Sequence, residues 1–97
     1  MYAVILRATV GELDQQYSAA IERMKELAFS KYGCLEFIAL MEDDQRIAIS
    51  YWNSEDDIRR WKQNSEHLQT QAMAKNKWYK SYSVQVVEVK REYSHNP

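Results

Sequence analysis

Tyr51-Trp52-Asn53-Ser54-Glu55-Asp56-Asp57-Ile58-Arg59-Arg60-Trp61-Lys62-Gln63-Asn64-Ser65-Glu66-His67, closing later on Lys77-Trp78-Tyr79, is the stretch that decides the fold of this chain. Residues 51–79 contain all three tryptophans and one of the two histidines. The pattern predicts a strand that ends here and a helix that begins. Ser54 reads as the N-cap, because its hydroxyl can accept a free backbone N–H. Glu55, Asp56 and Asp57 fill the first turn, where the helix dipole favours negative charge. With Asp57 at the third helical position the segment approximates a capping box. Ile58 and Trp61 face inward. The chain is expected to kink around 63–65 and to continue as a helical run over 66–78. That run places Leu68, Ala72 and Lys75 on one stripe, and Gln71, Ala74 and Trp78 on the next. Aromatic rings grouped with a single imidazole predict a pocket wall.

Upstream, Tyr2–Val10 alternates. Tyr2, Val4, Leu6, Ala8 and Val10 face one way and Ala3, Ile5, Arg7 and Thr9 the other, which is a strand pattern. Over 13–30, Leu13, Tyr17, Ala20, Ile21, Met24, Leu27 and Ala28 recur at helical spacing and form one apolar stripe. Gly33 follows, where a left-handed residue commonly ends a helix. Strands are expected at 34–41 and 46–52, joined by an acidic hairpin turn over 42–45, and at 81–91. The last strand sets Tyr82, Val84, Val86 and Glu88 against Ser83, Gln85, Val87 and Val89. The order β-α-β-β-α-β predicts an α+β, ferredoxin-like fold: a four-stranded antiparallel sheet with helices on one face. Residues 1–92 read as one domain and 93–97 as a polar tail.

Composition narrows the function classes. Net charge is −1, from 13 basic and 14 acidic residues, which argues against broad electrostatic binding to nucleic acid or an anionic membrane. No run approaches the ~18 apolar residues of a membrane span. The single cysteine, Cys34, excludes an internal disulfide and suits a reducing, cytoplasmic setting. Its place at a strand start reads as structural. There is no Cys/His metal spacing, no Ser-His-Asp set and no glycine-rich phosphate loop. No metal or cofactor is therefore expected.

The strands are apolar on both sides. Ala3 and Ile5 oppose Val4 and Leu6, Ile38 and Leu40 oppose Leu35, Phe37 and Ala39, and Ala48 and Trp52 oppose Ile47, Ile49 and Tyr51. A sheet with one wet face should alternate apolar and polar residues instead. Helices cover one face, and a second copy of the chain is expected to cover the other, giving a homodimer with two sheets packed face to face.

The chain resembles the antibiotic biosynthesis monooxygenase-like family of the dimeric α+β barrel superfamily. Ser50-Tyr51-Trp52, Ser54-Glu55, Trp61-Lys62, Ser65-Glu66-His67, Gln71 and Lys77-Trp78-Tyr79 carry the likeness. That resemblance implies a cofactor-independent monooxygenase of a small aromatic or quinol-type metabolite, in which the phenolic substrate itself supplies electrons to O₂. Haem-degrading relatives match at Trp61, but Arg7 stands near their asparagine and Gln71 at their iron-ligand position, and neutral glutamine is a poor iron ligand. The candidate catalytic residues are His67 as base, Arg7 as phenolate partner and Asn53 as oxyanion donor. Trp61, Trp52, Tyr51 and Trp78 are the candidate substrate-binding walls. Each has a plainer role open to it: His67 as a surface or capping group, Trp61 as core, Arg7 as a strand ion-pair partner, Asn53 as a strand terminator, and Trp78 as a structural anchor. The same fold also suits a non-catalytic protein, small-ligand-binding or stress-related.

Overall fold

The computed structural model describes residues 1–97. In chain order it contains β1 (Tyr2–Val10), α1 (Gln15–Lys31), β2 (Glu36–Glu42), β3 (Gln45–Trp52), α2 (Glu55–Gln63), α3 (Ser65–Met73), a π-helical turn (Ala74–Trp78) and β4 (Tyr79–Glu88). The strands form one antiparallel sheet in the order β2-β3-β1-β4, the ferredoxin-like arrangement. No helix is long and apolar enough to cross a membrane.

Strand register sorts the two faces. Val4 lies beside Ser50 and Val86, Leu6 beside Ala48 and Val84, and Ala8 beside Arg46 and Tyr82. These rows face the helices. Ala3, Ile5, Arg7 and Thr9 belong to the opposite face with Tyr51, Ile49, Ile47 and Gln45. On that face Ile38, Leu40, Ile47 and Val87 are exposed, Leu40 to 71%. The apolar patch lies mainly over β2 and β3. Towards β4 the face turns polar with Arg7, Ser83 and Gln85, which are all exposed.

Several boundaries differ from the periodicity, each for a local reason. α1 starts at Gln15 because Asp14 caps it: Asp14 Oδ1 accepts the Tyr17 N–H at 3.0 Å. Leu13 is left outside the helix and exposed. The same carboxylate accepts the Trp78 indole N–H at 3.2 Å and pairs with Lys77 Nζ at 2.7 Å, so one side chain ties the first helix to the entry of the last strand. β2 begins at Glu36 because residues 34 and 35 serve the return from α1. The Cys34 N–H donates to the Ala28 carbonyl at 2.9 Å and the Leu35 N–H to the Tyr51 carbonyl at 2.8 Å. β4 starts early, at Tyr79, because Tyr79 pairs with Val10 across an irregularity at Thr9/Val10.

The expected second helical run is two helices. Asn64, at φ −58° and ψ 136°, ends α2 and begins α3. Extended ψ breaks the helical path there. Its side-chain Oδ1 then accepts the N–H groups of Glu66 and His67 at 2.9 and 3.3 Å, which offsets the donors that a helix start leaves free. At α2, Ser54 Oγ accepts the Asp57 N–H at 3.2 Å. The return half of a capping box is replaced by an ion pair of Asp57 with Arg60 at 2.6 Å. Of the two expected stripes on the later run, the second is inward: Ala74 and Trp78 are buried, whereas Leu68 is 52% exposed. α3 itself contributes no buried residue.

Buried side chains form two separate clusters. One joins Val4, Met24, Leu27, Ala28, Cys34, Trp52, Ile58 and Trp61. The other joins Tyr17, Ala74 and Trp78. Each tryptophan N–H is satisfied, by Ser50 Oγ for Trp52 (2.9 Å), by the Met24 carbonyl for Trp61 (3.1 Å) and by Asp14 for Trp78, as burial of a polar handle requires.

Gly33 adopts φ +79°, and a Cβ placed there would meet only Asp57 Oδ2, at an ordinary 3.6 Å. Gly33→Ala should therefore cost backbone strain alone, about 1–2 kcal/mol, read as a lower urea midpoint at unchanged m-value.

Candidate functional site

A cavity of about 110 Å³ opens between the sheet and the helices. It fills the gap between the two buried clusters. Val4, Leu6, Ala48, Ser50 and Val84 form its floor, with Arg46 and Tyr82 from the same sheet face. Ile21 and Met24 of α1, Trp61 and Lys62 of α2, and His67, Thr70 and Gln71 of α3 close it from above. Phe37 of β2, Ala74 and Tyr79 complete the wall.

His67 is presented by the first turn of α3, which Asn64 fixes by capping. The ring stands edge-on to Trp61, with centroids 4.4 Å apart and planes at 78°. Trp61 is held in turn by Trp52 at 5.1 Å and Phe37 at 6.5 Å. His67 Nδ1 is buried without a hydrogen-bond partner. Burial, reinforced by the nearby positive charge of Lys62, lowers the imidazole to about 4 from its ordinary 6.5. The ring is neutral at pH 7, with one nitrogen free to donate and one to accept. Burial also holds the Lys62 ammonium below its ordinary range.

Arg46 enters from β3. It is only 8% exposed, its Nε has no partner, and its guanidinium lies over the Tyr17 ring at 5.6 Å. Tyr17 Oη and Tyr79 Oη are hydrogen bonded at 3.1 Å. Burial raises the Tyr17 phenol, helped by the bond to Tyr79. The ionisable side chains around the cavity are Arg46, Lys62, His67, Tyr79 and Tyr82, with no carboxylate among them. In a low-dielectric space this charge set favours an anion or an electron-rich group.

The structure brings together two of the candidate residues, His67 and Trp61. Arg7 lies on the opposite sheet face, between Ile47 and Ser83, and cannot meet a ligand in this cavity. Asn53 is exposed in the bend before the Ser54 cap. Tyr51 lies on the face away from the helices, paired with Ala3 and Glu36. Trp52 is completely buried behind Trp61. Trp78 is buried against Tyr17, with ring centroids 5.2 Å apart, in the other cluster. Arg46, Lys62, Tyr79 and Tyr82 line the cavity but were not among the candidate site residues from the sequence. The alternation of β3 carried a signal for Arg46, which shares its face with Ala48, Ser50 and the buried Trp52.

No family model matches the chain. In sequence it is 38% identical over 92 residues to YqjZ of Bacillus subtilis (strain 168), an uncharacterized protein, across 94% of this chain and 81% of YqjZ. In structure it is similar to SnoaB, a cofactor-independent oxygenase from Streptomyces nogalater, at 16% identity, 97% coverage of both chains and a TM-score of 0.79. It is also similar to a candidate antibiotic biosynthesis monooxygenase of Nitrosomonas europaea, at 15% identity, 94% of this chain, 100% of the other and a TM-score of 0.76. The chain belongs to one family with YqjZ, and its fold is the one that SnoaB and the Nitrosomonas europaea protein share.

Proposed function

We propose that the protein is a homodimeric, cofactor-independent monooxygenase of a small aromatic or quinol-type metabolite. The observation that carries this reading is the cavity: apolar walls lined by Arg46 and a neutral imidazole, with no carboxylate. Oxygenation without a cofactor needs the substrate as its phenolate, which is the form that gives up an electron to O₂. It also needs a dry space around the reduced oxygen species. Arg46 supplies the counter-charge, in place of Arg7. His67 accepts the phenolic hydrogen bond. Trp61 and Phe37 provide the ring surfaces.

Magnitudes limit what His67 does alone. Moving a proton from a phenol near 10 to an imidazole at about 4 costs about 8 kcal/mol in the empty site. The transfer becomes affordable only when a developing anion beside the ring raises its basicity and Arg46 stabilises that anion. In this reading arginine and histidine act as a pair. His67→Gln and Arg46→Met should each lower oxygen uptake on hydroquinone and naphthol substrates by about 10²-fold or more. Uptake unchanged in both variants removes the pair from the reaction.

A second reading, a non-catalytic small-ligand-binding or stress-related dimer, is favoured by one observation: no second polar group orients His67. Saturable binding of the same compounds with no oxygen uptake decides for it.

Both readings need His67 neutral in the folded chain. Unfolded, the ring takes a proton below about 6.5; folded, it stays neutral down to about 4. The unfolded state therefore binds more protons between these values, and stability falls as pH drops from 6.5 to 4, by on the order of 3 kcal/mol. Thermal midpoints of the wild type should fall across that window, and His67→Gln should flatten the fall.

The dimer rests on the exposed Ile38, Leu40, Ile47 and Val87, an apolar patch that a second sheet would cover. Light scattering should give twice the chain mass for the wild type and a monomer for Leu40→Glu. A monomeric wild type at micromolar concentration defeats this assembly.

A further inference from the structure

We propose that Asn64 is a positioning residue for this site: tied to Tyr32 at the end of α1, it sets where α3 begins and so holds the His67 ring against Trp61. This deepens the reading that His67 acts in the cavity, and rests on it.

The need for such a residue follows from spacing. His67 lies six residues beyond Trp61. An uninterrupted helix turns by about 100° per residue, so it would set the two side chains about 120° apart around its axis. The imidazole would then point away from the indole. Instead the ring centroids are 4.4 Å apart and the planes nearly at right angles. The chain must change direction between them, and it does so at Asn64, whose ψ of 136° is extended.

Every polar group of Asn64 is engaged in that change of direction. Its backbone N–H donates to the Trp61 carbonyl at 3.2 Å, and its carbonyl accepts the Leu68 N–H at 3.0 Å. Its Oδ1 accepts the N–H groups of Glu66 and His67 at 2.9 and 3.3 Å. Its Nδ2 donates to Tyr32 Oη at 3.0 Å. One residue is therefore bonded to both members of the Trp61–His67 pair and to a third element. Tyr32 directly follows α1 and packs against the larger buried cluster, so the amide is anchored to the core. A side-chain amide suits the post, because its oxygen accepts two N–H groups while its nitrogen still donates.

The rest of α3 adds little competing restraint. None of its residues is fully buried. Its ion pair with α1, Arg23 with Glu66, is exposed, and such pairs contribute little in water. Asn64 itself does not line the cavity. It acts on the site only through the placement of His67.

NMR of the His67 ring, with amide hydrogen exchange of α3, tests this at pH 7. Asn64→Ala should move the ring resonances at least halfway to free-histidine positions, as the Trp61 ring current is lost. It should also speed exchange of the Glu66 and His67 amides at least tenfold. Asn64→Asp, whose carboxylate can cap and accept the Tyr32 hydroxyl, should restore both. Tyr32→Phe should move the ring in the same direction by less. Gln69→Gly, at an exposed position of the same helix, weakens α3 without touching the cap and should leave the ring resonances in place. A ring unmoved in Asn64→Ala or in Tyr32→Phe overturns the assignment, as does one moved equally by Gln69→Gly. Tyr32→Phe removes a single oxygen, so it decides the matter even if Asn64→Ala does not fold. Oxygen uptake on hydroquinone is read separately, and a displaced ring should lower it tenfold or more. A displaced ring with unchanged uptake ends the role of His67 in the reaction and leaves the positioning by Asn64 standing. An unmoved ring, with uptake lost in His67→Gln, does the reverse.

Discussion

The indole of Trp61 is the contact on which the rest of this structure depends. Its N–H reaches the Met24 carbonyl in α1, and its ring meets Trp52 of β3 at a tilt and Phe37 of β2 and His67 of α3 nearly at right angles. One side chain therefore sets the distance between α1, α2 and the sheet, and aims the imidazole. Its neighbours pack against it, and the cavity begins where that packing stops. Loss of the ring would remove apolar burial, the α1 hydrogen bond and the wall of the site together, so its structural and functional roles cannot be separated by truncation alone.

The cavity itself is a consequence of there being two buried clusters instead of one. The larger is organised by Trp52 and Trp61, the smaller by Tyr17 and Trp78, and the Asp14 carboxylate secures the smaller one through the Tyr17 and Trp78 N–H groups. Between them the protein tolerates an unpaired guanidinium and an imidazole that burial keeps neutral. Local rules of polar satisfaction are broken at one place in an otherwise consistent design, and such places are where binding chemistry is concentrated.

Much of the fold was legible because it follows from periodicity and capping. The limits of β1, the Ser54 cap, the break near Asn64 and the inward turn of Ile58 and Trp61 all came from residue spacing. The site was less legible. Of the candidate residues, His67 and Trp61 line the cavity; they are six residues apart on two helices, and the turn at Asn64 brings their rings together. Arg46 was missed and Arg7 preferred because both sheet faces are apolar. Alternation shows that Arg7 and Leu6 point apart, but not which of the two faces the helices cover. That depends on α1, α2 and α3 docking as a layer, a property of the whole chain. Trp52 and Trp78 were drawn into the site by their closeness in sequence to Trp61, whereas in space they fill the two clusters on either side of it.

No residue of the helix bearing His67 is fully buried. It hangs from Asn64 at one end and is braced to α1 by an exposed pair between Arg23 and Glu66, at 2.8 Å, a kind of contact that contributes little in water and less in salt. Its apolar grip is limited to His67 against Trp61 and Met73 against the Tyr17–Trp78 cluster, so local opening here has less apolar burial to overcome than at α1 or α2. Its outer brace is an ion pair that weakens as salt rises, so the cost of loosening this helix over the cavity falls with ionic strength.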